Sequence, residues 1–260
     1  MTTEHNVEVE AEIGGVPVLR QADWVRRFPW LVQGVTVRRA GFDFGRAPDG
    51  DEGPVNGETA ALAPRDGAWG RLRAGAGARQ LFRLRQVHGA RVLVVPGEHP
   101  GPERRPEADA LASGRAGLLL AVTIADCVPV FAADPTGRTA GLAHAGWRGI
   151  AAGVVEGLIR RMSSELGSRP DELHVHLGPA ICGGCYEVGP EVPAALGVAG
   201  SPSHVDLRAV AARRAEAAGV RRSLITRSAL CTACRRDLLF SYRAGDRTGR
   251  SCAFAGRQES

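Results

Sequence analysis

Aromatic residues are scarce in this chain: Phe, Trp and Tyr together make up 5% of it, and only two are tyrosines. The seven Phe and two Tyr side chains are too few for the base-stacking platforms of single-strand binders, and no aromatic-rich RNA-binding signature occurs. Long apolar runs are also missing, which argues against a membrane-spanning helix. No run of five like charges occurs, and the net charge of +5 comes mostly from arginines scattered in pairs. Such a surface suits small anionic ligands better than nucleic acid. The opening MTTEHNVEVEAE is acidic and polar, unlike a secretory signal, so residues 1–15 are expected to be a flexible tail and the protein cytoplasmic. In a reducing compartment the six cysteines are expected to be ligands, catalytic groups or reduced core thiols rather than disulfides.

What is present suits one α/β domain, expected over residues 16–257. Gly45 to Gly77 is rich in Gly, Ala, Pro and Asp and reads as loop with one short helix. QLFRLRQVHG and ARVLVV read as strands flanking His88, and PGEHPGPERRPEADA as a turn-rich connection. GLLLAVTIA reads as a buried strand ending at Cys127, and TAGLAHA as a strand ending at His144. Ile150, Val154, Val155, Leu158, Ile159 and Met162 recur at helical spacing, with Gly167 and Pro170 as the stop. ELHVHLGPA and RRSLIT read as strands, and DLRAVAARRAEAAGV as a helix capped by Asp206.

Three residues at predicted strand ends carry the chemistry: His88 in QVHG, Cys127 in ADC and His144 in HAGWRG. A thiolate with two imidazoles is a three-ligand zinc set that leaves a fourth position open for water. The same residues allow other readings, since copper or another divalent ion suits them too and small polar residues are common at buried strand ends. They also allow a metal-free one, in which Cys127 is a thiolate nucleophile and His144 its base, giving a hydrolase or deamidase. Ala145, Gly146 and Gly149 place no bulk over the imidazole. Arg148, with the backbone N–H groups of the helical turn directly after GWRG, is placed to hold an anion.

RQVHGARV, EADAL, GLLLAVTIADCVPVFAAD, GLAHAGWRGIAAGVVEGL, LGPAICGGCYEVG and CTACRRDLLFSYRAGDRTGR resemble the family once labelled laccase-domain or polyphenol oxidase and now described as purine nucleoside phosphorylases. The resemblance implies zinc on His88, Cys127 and His144, and a single-domain four-layer α/β/β/α sandwich with mixed sheets. It also implies phosphorolysis of adenosine, inosine, guanosine and methylthioadenosine, together with adenosine deamination. Within that reading Arg148 and Gly146 are the expected phosphate-binding residues, and Arg38 a second candidate cation. Asp126 is expected to orient a ligand or the attacking water, with capping of its loop as the alternative. Asp109 and Glu187 are weaker acid–base candidates, because carboxylates there often accept backbone N–H groups.

The N-terminal side departs from the family pattern. VTVRRAGFDFG keeps Arg38 and Gly41, lacks most of the expected substrate loop, and has Asp43 where Asn is expected. A non-enzymatic purine-binding or partner protein is the alternative this raises. Cys182-Gly-Gly-Cys185 and Cys231-Thr-Ala-Cys234 form two CxxC pairs at a spacing longer than a zinc ribbon's. Reduced, half-buried thiols are expected there, with a structural zinc as the alternative. His174-Val-His176 is expected to be a strand with one polar face rather than a copper site.

Overall fold

A computed structural model describes residues 7–39, 41–45, 67–95, 105–200 and 203–259. Two adjacent glycines, Gly14 and Gly15, both adopt positive φ and turn β1 (Glu8–Ile13) back onto β2 (Val16–Gln21). This is the conformation that matches the twist of a tight hairpin. The chain continues through α1 (Ala22–Arg27), whose first turn is capped by the Gln21 side chain accepting from Trp24 N at 2.6 Å, into β3 (Leu31–Thr36). There follow α2 (Ala68–Gly75), β4 (Gln80–Arg83), β5 (Val92–Val94), β6 (Ala110–Ser113), β7 (Leu118–Ile124), β8 (Val128–Asp134) and β9 (Thr139–Ala145). The rest of the chain comprises α3 (Trp147–Ala151), α4 (Val154–Leu166), β10 (His174–Leu177), α5 (Glu191–Leu196), α6 (Leu207–Ala217), β11 (Ile225–Arg227) and β12 (Ser251–Arg257).

The strands form two mixed sheets of six, ordered β1-β2-β3-β12-β7-β4 and β11-β10-β8-β9-β6-β5. Strand β7 shows why they stack. Leu118, Leu120, Val122 and Ile124 join Phe131 and Leu142 of the other sheet in the central core, while Leu119 and Ala121 pack outward with Leu72 of α2. With both faces covered, the period-2 alternation puts apolar side chains on each side, so the strand reads as a continuous apolar run. On the second sheet, Val130 and Ala143 pack against Leu158 of α4 and Val210 of α6. Three cores between four layers give the expected α/β/β/α sandwich in a single domain.

Several local expectations are corrected. Residues 8–13 are not tail: they form edge strand β1, and buried Glu8 Oε1 lies 3.2 Å from His176 Nε2. The helix expected to run from Ile150 to Met162 is broken between α3 and α4, because Gly153 sits at φ +89° and ends the ladder of intrahelical bonds. Gly167, at φ +72°, stops α4 as expected. The strand expected to end at Cys127 ends at Ile124, and Ala125–Cys127 form the turn that carries the chain from one sheet to the other. RRSLIT is a strand only from Ile225, after a turn of 3₁₀ helix over Arg222–Leu224. His174 and His176 do lie on a strand, and the face they share is turned inward: His176 Nδ1 is 3.0 Å from Thr226 Oγ1, and His174 packs edge-on against Phe28. Asp206 caps α6, accepting from Arg208 N and Ala209 N. Most of the expected 45–77 loop lies outside the described residues, as does 96–104 of the turn-rich connection, while α2 is a short helix in its described part.

Candidate metal centre

Three segments converge at one end of the sandwich, held by a few polar side chains around them. Gln86 clamps the QVHG segment to the end of β7, donating to Thr123 O at 2.9 Å and accepting from Thr123 N at 2.8 Å. The Asp109 carboxylate accepts three successive N–H groups, from Val87 (3.2 Å), His88 (3.0 Å) and Gly89 (2.7 Å). That grip holds His88 at φ +58°, a region a non-glycine residue adopts only when its surroundings impose it. Asp126, at φ +88°, makes the matching bend before Cys127. His144 comes from the end of β9, with its Nδ1 2.9 Å from Asp109 Oδ1 and its backbone N–H donating to Asp109 O at 2.7 Å.

The ligand atoms of His88, Cys127 and His144 lie within 4.8 Å of one another. The two imidazoles meet edge to face at 4.8 Å between centroids. Burial is graded across the set, with His144 buried, Cys127 half-buried and His88 exposed, so the open side of the cluster is at His88. A side chain at position 146 would close it. A Cβ on Gly146 would stand 2.9 Å from Cys127 Sγ and 3.2 Å from His88 Cδ2. Gly146 therefore clears room for the ligands themselves.

Electrostatics bind the three together. Burial would raise the Cys127 thiol, but the His144 imidazole, with help from His88, brings it down to about 6. Burial would lower His144, yet Cys127 and Asp109 raise it to about 9. The metal-free chain thus favours a thiolate–imidazolium pair. Burial likewise works against the Asp109 carboxylate, which the His144 ring and the Gly89 and Val87 amides hold below the usual range. Because Asp109 occupies Nδ1, His144 presents Nε2 to the cluster, the carboxylate–histidine pairing that fixes tautomer in metal sites. The donor set, the cleared space and the open side fit a single zinc-type ion.

The remaining expected residues are placed differently. Both oxygens of Asp126 are engaged away from the ligands: Oδ1 accepts from Thr232 Oγ1 (2.6 Å) and Ser241 Oγ (2.7 Å), and Oδ2 from Arg243 N (2.7 Å). Arg38 donates to both oxygens of Asp246 at 2.9 and 3.0 Å and lies over the Phe240 ring. It lines a cleft of about 570 Å³ with Arg39, Gly41, Asp43, Arg236 and Asp237. Arg148 is exposed, its guanidinium stacked 4.5 Å over Trp147, and among the described residues no carboxylate pairs with it. Glu187 meets the site through its backbone, its carbonyl accepting from Arg243 Nη1. Sequence reasoning passed over Tyr186 and Arg243, although both lie in the resembling segments. The Arg243 guanidinium sits 5.0 Å over the Tyr186 ring. Burial first, and then the Cys127 charge, push the Tyr186 phenol up to about 12, against the opposing pull of Arg243. The four CxxC thiols also come together, each sulfur within 4.8 Å of the others.

The structure is a layered α/β sandwich with a Cys-His-His group able to hold a metal ion at its strand ends, and sequence comparison gives the family. Residues 65–258 match the family described as "Multi-copper polyphenol oxidoreductase laccase", and the chain belongs to it. A purine nucleoside phosphorylase of Streptomyces coelicolor, SCO2081, is 40% identical over 182 residues, covering 66% of this chain and 72% of the relative. The adenosine deaminase RL5, from an unknown prokaryotic organism, is 30% identical over 191 residues, covering 66% and 72%. The chain spans 45% of the length of a Streptomyces griseus purine nucleoside phosphorylase, ORF3, at 46% identity over 43% of its own length. The crystal structure of YlmD from Geobacillus stearothermophilus superposes with a TM-score of 0.77 at 29% identity, over 98% of this chain and 100% of that one. Among the described residues His174 and His176 are committed to core contacts, and the two donor groups are one His₂Cys set and one Cys₄ set.

Proposed function

We propose that the chain is a zinc-dependent purine nucleoside phosphorylase acting on adenosine, inosine, guanosine and methylthioadenosine, with adenosine deaminase activity, in the cytoplasm. The observation that carries this reading is the convergence of His88, Cys127 and His144 with Asp109 on the outer nitrogen of His144. The relatives named as purine nucleoside phosphorylases and as an adenosine deaminase supply the substrate class.

Bound zinc supplies Lewis acidity and a water whose pKa is brought toward neutrality. The protein's own residues do the rest. Asp109 holds the His144 proton on Nδ1, so that the Nε2 lone pair faces Cys127 and His88. Exposed Arg148, which pairs with no carboxylate among the described residues, is the cation for phosphate, whereas Arg38 is already paired with Asp246. Asp126 positions rather than reacts, since its oxygens tie the 232–243 segment to the turn bearing Cys127. Tyr186, with the Arg243 guanidinium over its ring, stays protonated at neutral pH and is the proton donor for the departing purine.

The test is product analysis of the metal-quantified protein with inosine and with adenosine, each with and without phosphate. Phosphate-dependent release of hypoxanthine or adenine, lost in His88→Ala together with the zinc of the His88, Cys127 and His144 site, is the expected result. Turnover that survives complete zinc removal and is abolished by alkylating Cys127 would replace this reading with a thiol hydrolase. Purine binding without any turnover would make the chain a binding protein.

A further inference from the structure

The four remaining clustered thiols stand outside that chemistry. Cys182 and Cys185 lie in one turn, where Cys185 N and Tyr186 N both donate to Cys182 O at 3.0 Å. Cys231 and Cys234 lie in a second, where Arg235 N donates to Cys231 O at 2.9 Å. A parallel bridge between Ala180 and Cys231 sets the two turns side by side, and Cys182 N donates to Cys231 Sγ at 3.2 Å. All four sulfurs fall within 4.8 Å of one another, and Cys185 Sγ and Cys234 Sγ are 3.4 Å apart. A tetrahedron of thiolates around zinc, with bonds of about 2.3 Å, places its sulfurs roughly 3.8 Å apart, so small side-chain adjustments complete the shell.

We propose that Cys182, Cys185, Cys231 and Cys234 hold a second zinc ion as a closed structural site. Two short CxxC turns, four sulfurs brought within reach of one ion and an amide donating to sulfur are features of such a site. Each thiol that binds releases its proton to solvent as the Zn–S bond forms, so no oxidant or reductant is involved. The site also has a structural target. Asp126 accepts from the first turn through its backbone, with Ile181 N donating to Asp126 O at 3.1 Å, and from the second through Thr232 Oγ1 at 2.6 Å. Zinc crosslinking the two turns would therefore brace the bend that aims Cys127. The inference uses residues separate from the His88, Cys127 and His144 set and does not depend on the reaction proposed above.

The experiment is metal analysis of the full chain purified under reducing conditions, comparing the unaltered protein, His88→Ala and Cys182→Ser/Cys234→Ser. Roughly two zinc ions per chain are expected in the first and about one in each variant, with a lowered unfolding temperature in the cysteine double variant. Should that variant fail to fold, cobalt(II) loading of His88→Ala provides the second measurement. An intense tetrahedral tetrathiolate spectrum is expected there. Loss of all bound metal in His88→Ala would overturn the proposal. So would an intact mass two hydrogens lighter, with a Cys185–Cys234 disulfide in place of metal.

Discussion

His144 Nδ1 lies 2.9 Å from an Asp109 oxygen while the same carboxylate gathers the amides of Val87, His88 and Gly89. One buried side chain thus fixes two of the three ligands. Asp109→Asn keeps the size but not the charge, and its amide cannot accept all of these donors at once. Zinc affinity should fall roughly 10–100-fold, as for other partners of metal-bound histidine. Chelator competition measures this, and an unchanged affinity would show that Asp109 serves the loop alone.

Gly146→Ala should be more damaging than its one methyl suggests. The added carbon would meet Cys127 Sγ at 2.9 Å and His88 Cδ2 at 3.2 Å, so the ligands must separate. The expected outcome is loss of zinc from this site, read by metal analysis, with the fold retained by circular dichroism.

Arg148→Ala should raise the phosphate KM roughly 10–100-fold, because one charge-assisted contact is lost, about 1.5–3 kcal/mol. Zinc content should not change. Arg38→Ala should instead act through stability, releasing Asp246 and Ser241 N, which donates to Asp246 at 2.9 Å. Phosphate titrations and thermal unfolding of the two variants separate these roles.

His174 gives the fold a pH dependence. Burial first, and then the nearby Arg27 charge, lower its pKa from 6.5. As pH falls through 6.5 the unfolded chain takes up this proton before the folded one does, so stability is lost on the acid side. Above that value the ring is neutral in both states and costs nothing. His174→Gln should flatten the acid limb of unfolding midpoint against pH, and an unaltered slope would locate the sensitivity elsewhere.

The apolar run before ADC, the helical spacing from Ile150 to Met162, Asp206 as a cap and the small residues around His144 are local signals, and local chemistry was enough to interpret them. His88, Cys127 and His144 stood out for the same reason, each a metal-ligating type beside turn-forming residues. Glu8 shows where this ends. In an acidic, polar stretch nothing reveals that its carboxylate reaches His176, because the partner belongs to a different sheet. Asp109 read as a weak acid–base candidate, and only the meeting of β6 with β9 turns it into the support of His144.

The sequence by itself determined which atoms were available to hold a metal, since donor type is a property of the residue. Tertiary structure decided which of them converge. The crossing from β7 to β8 delivers Cys127 to the histidines, the Ala180–Cys231 bridge joins two CxxC turns too distant for a local motif, and Asp246 takes Arg38 out of the supply of free cations. Coordination and ion pairing act over a few ångströms of space, and chain separation carries no information about that distance until the sheets have formed.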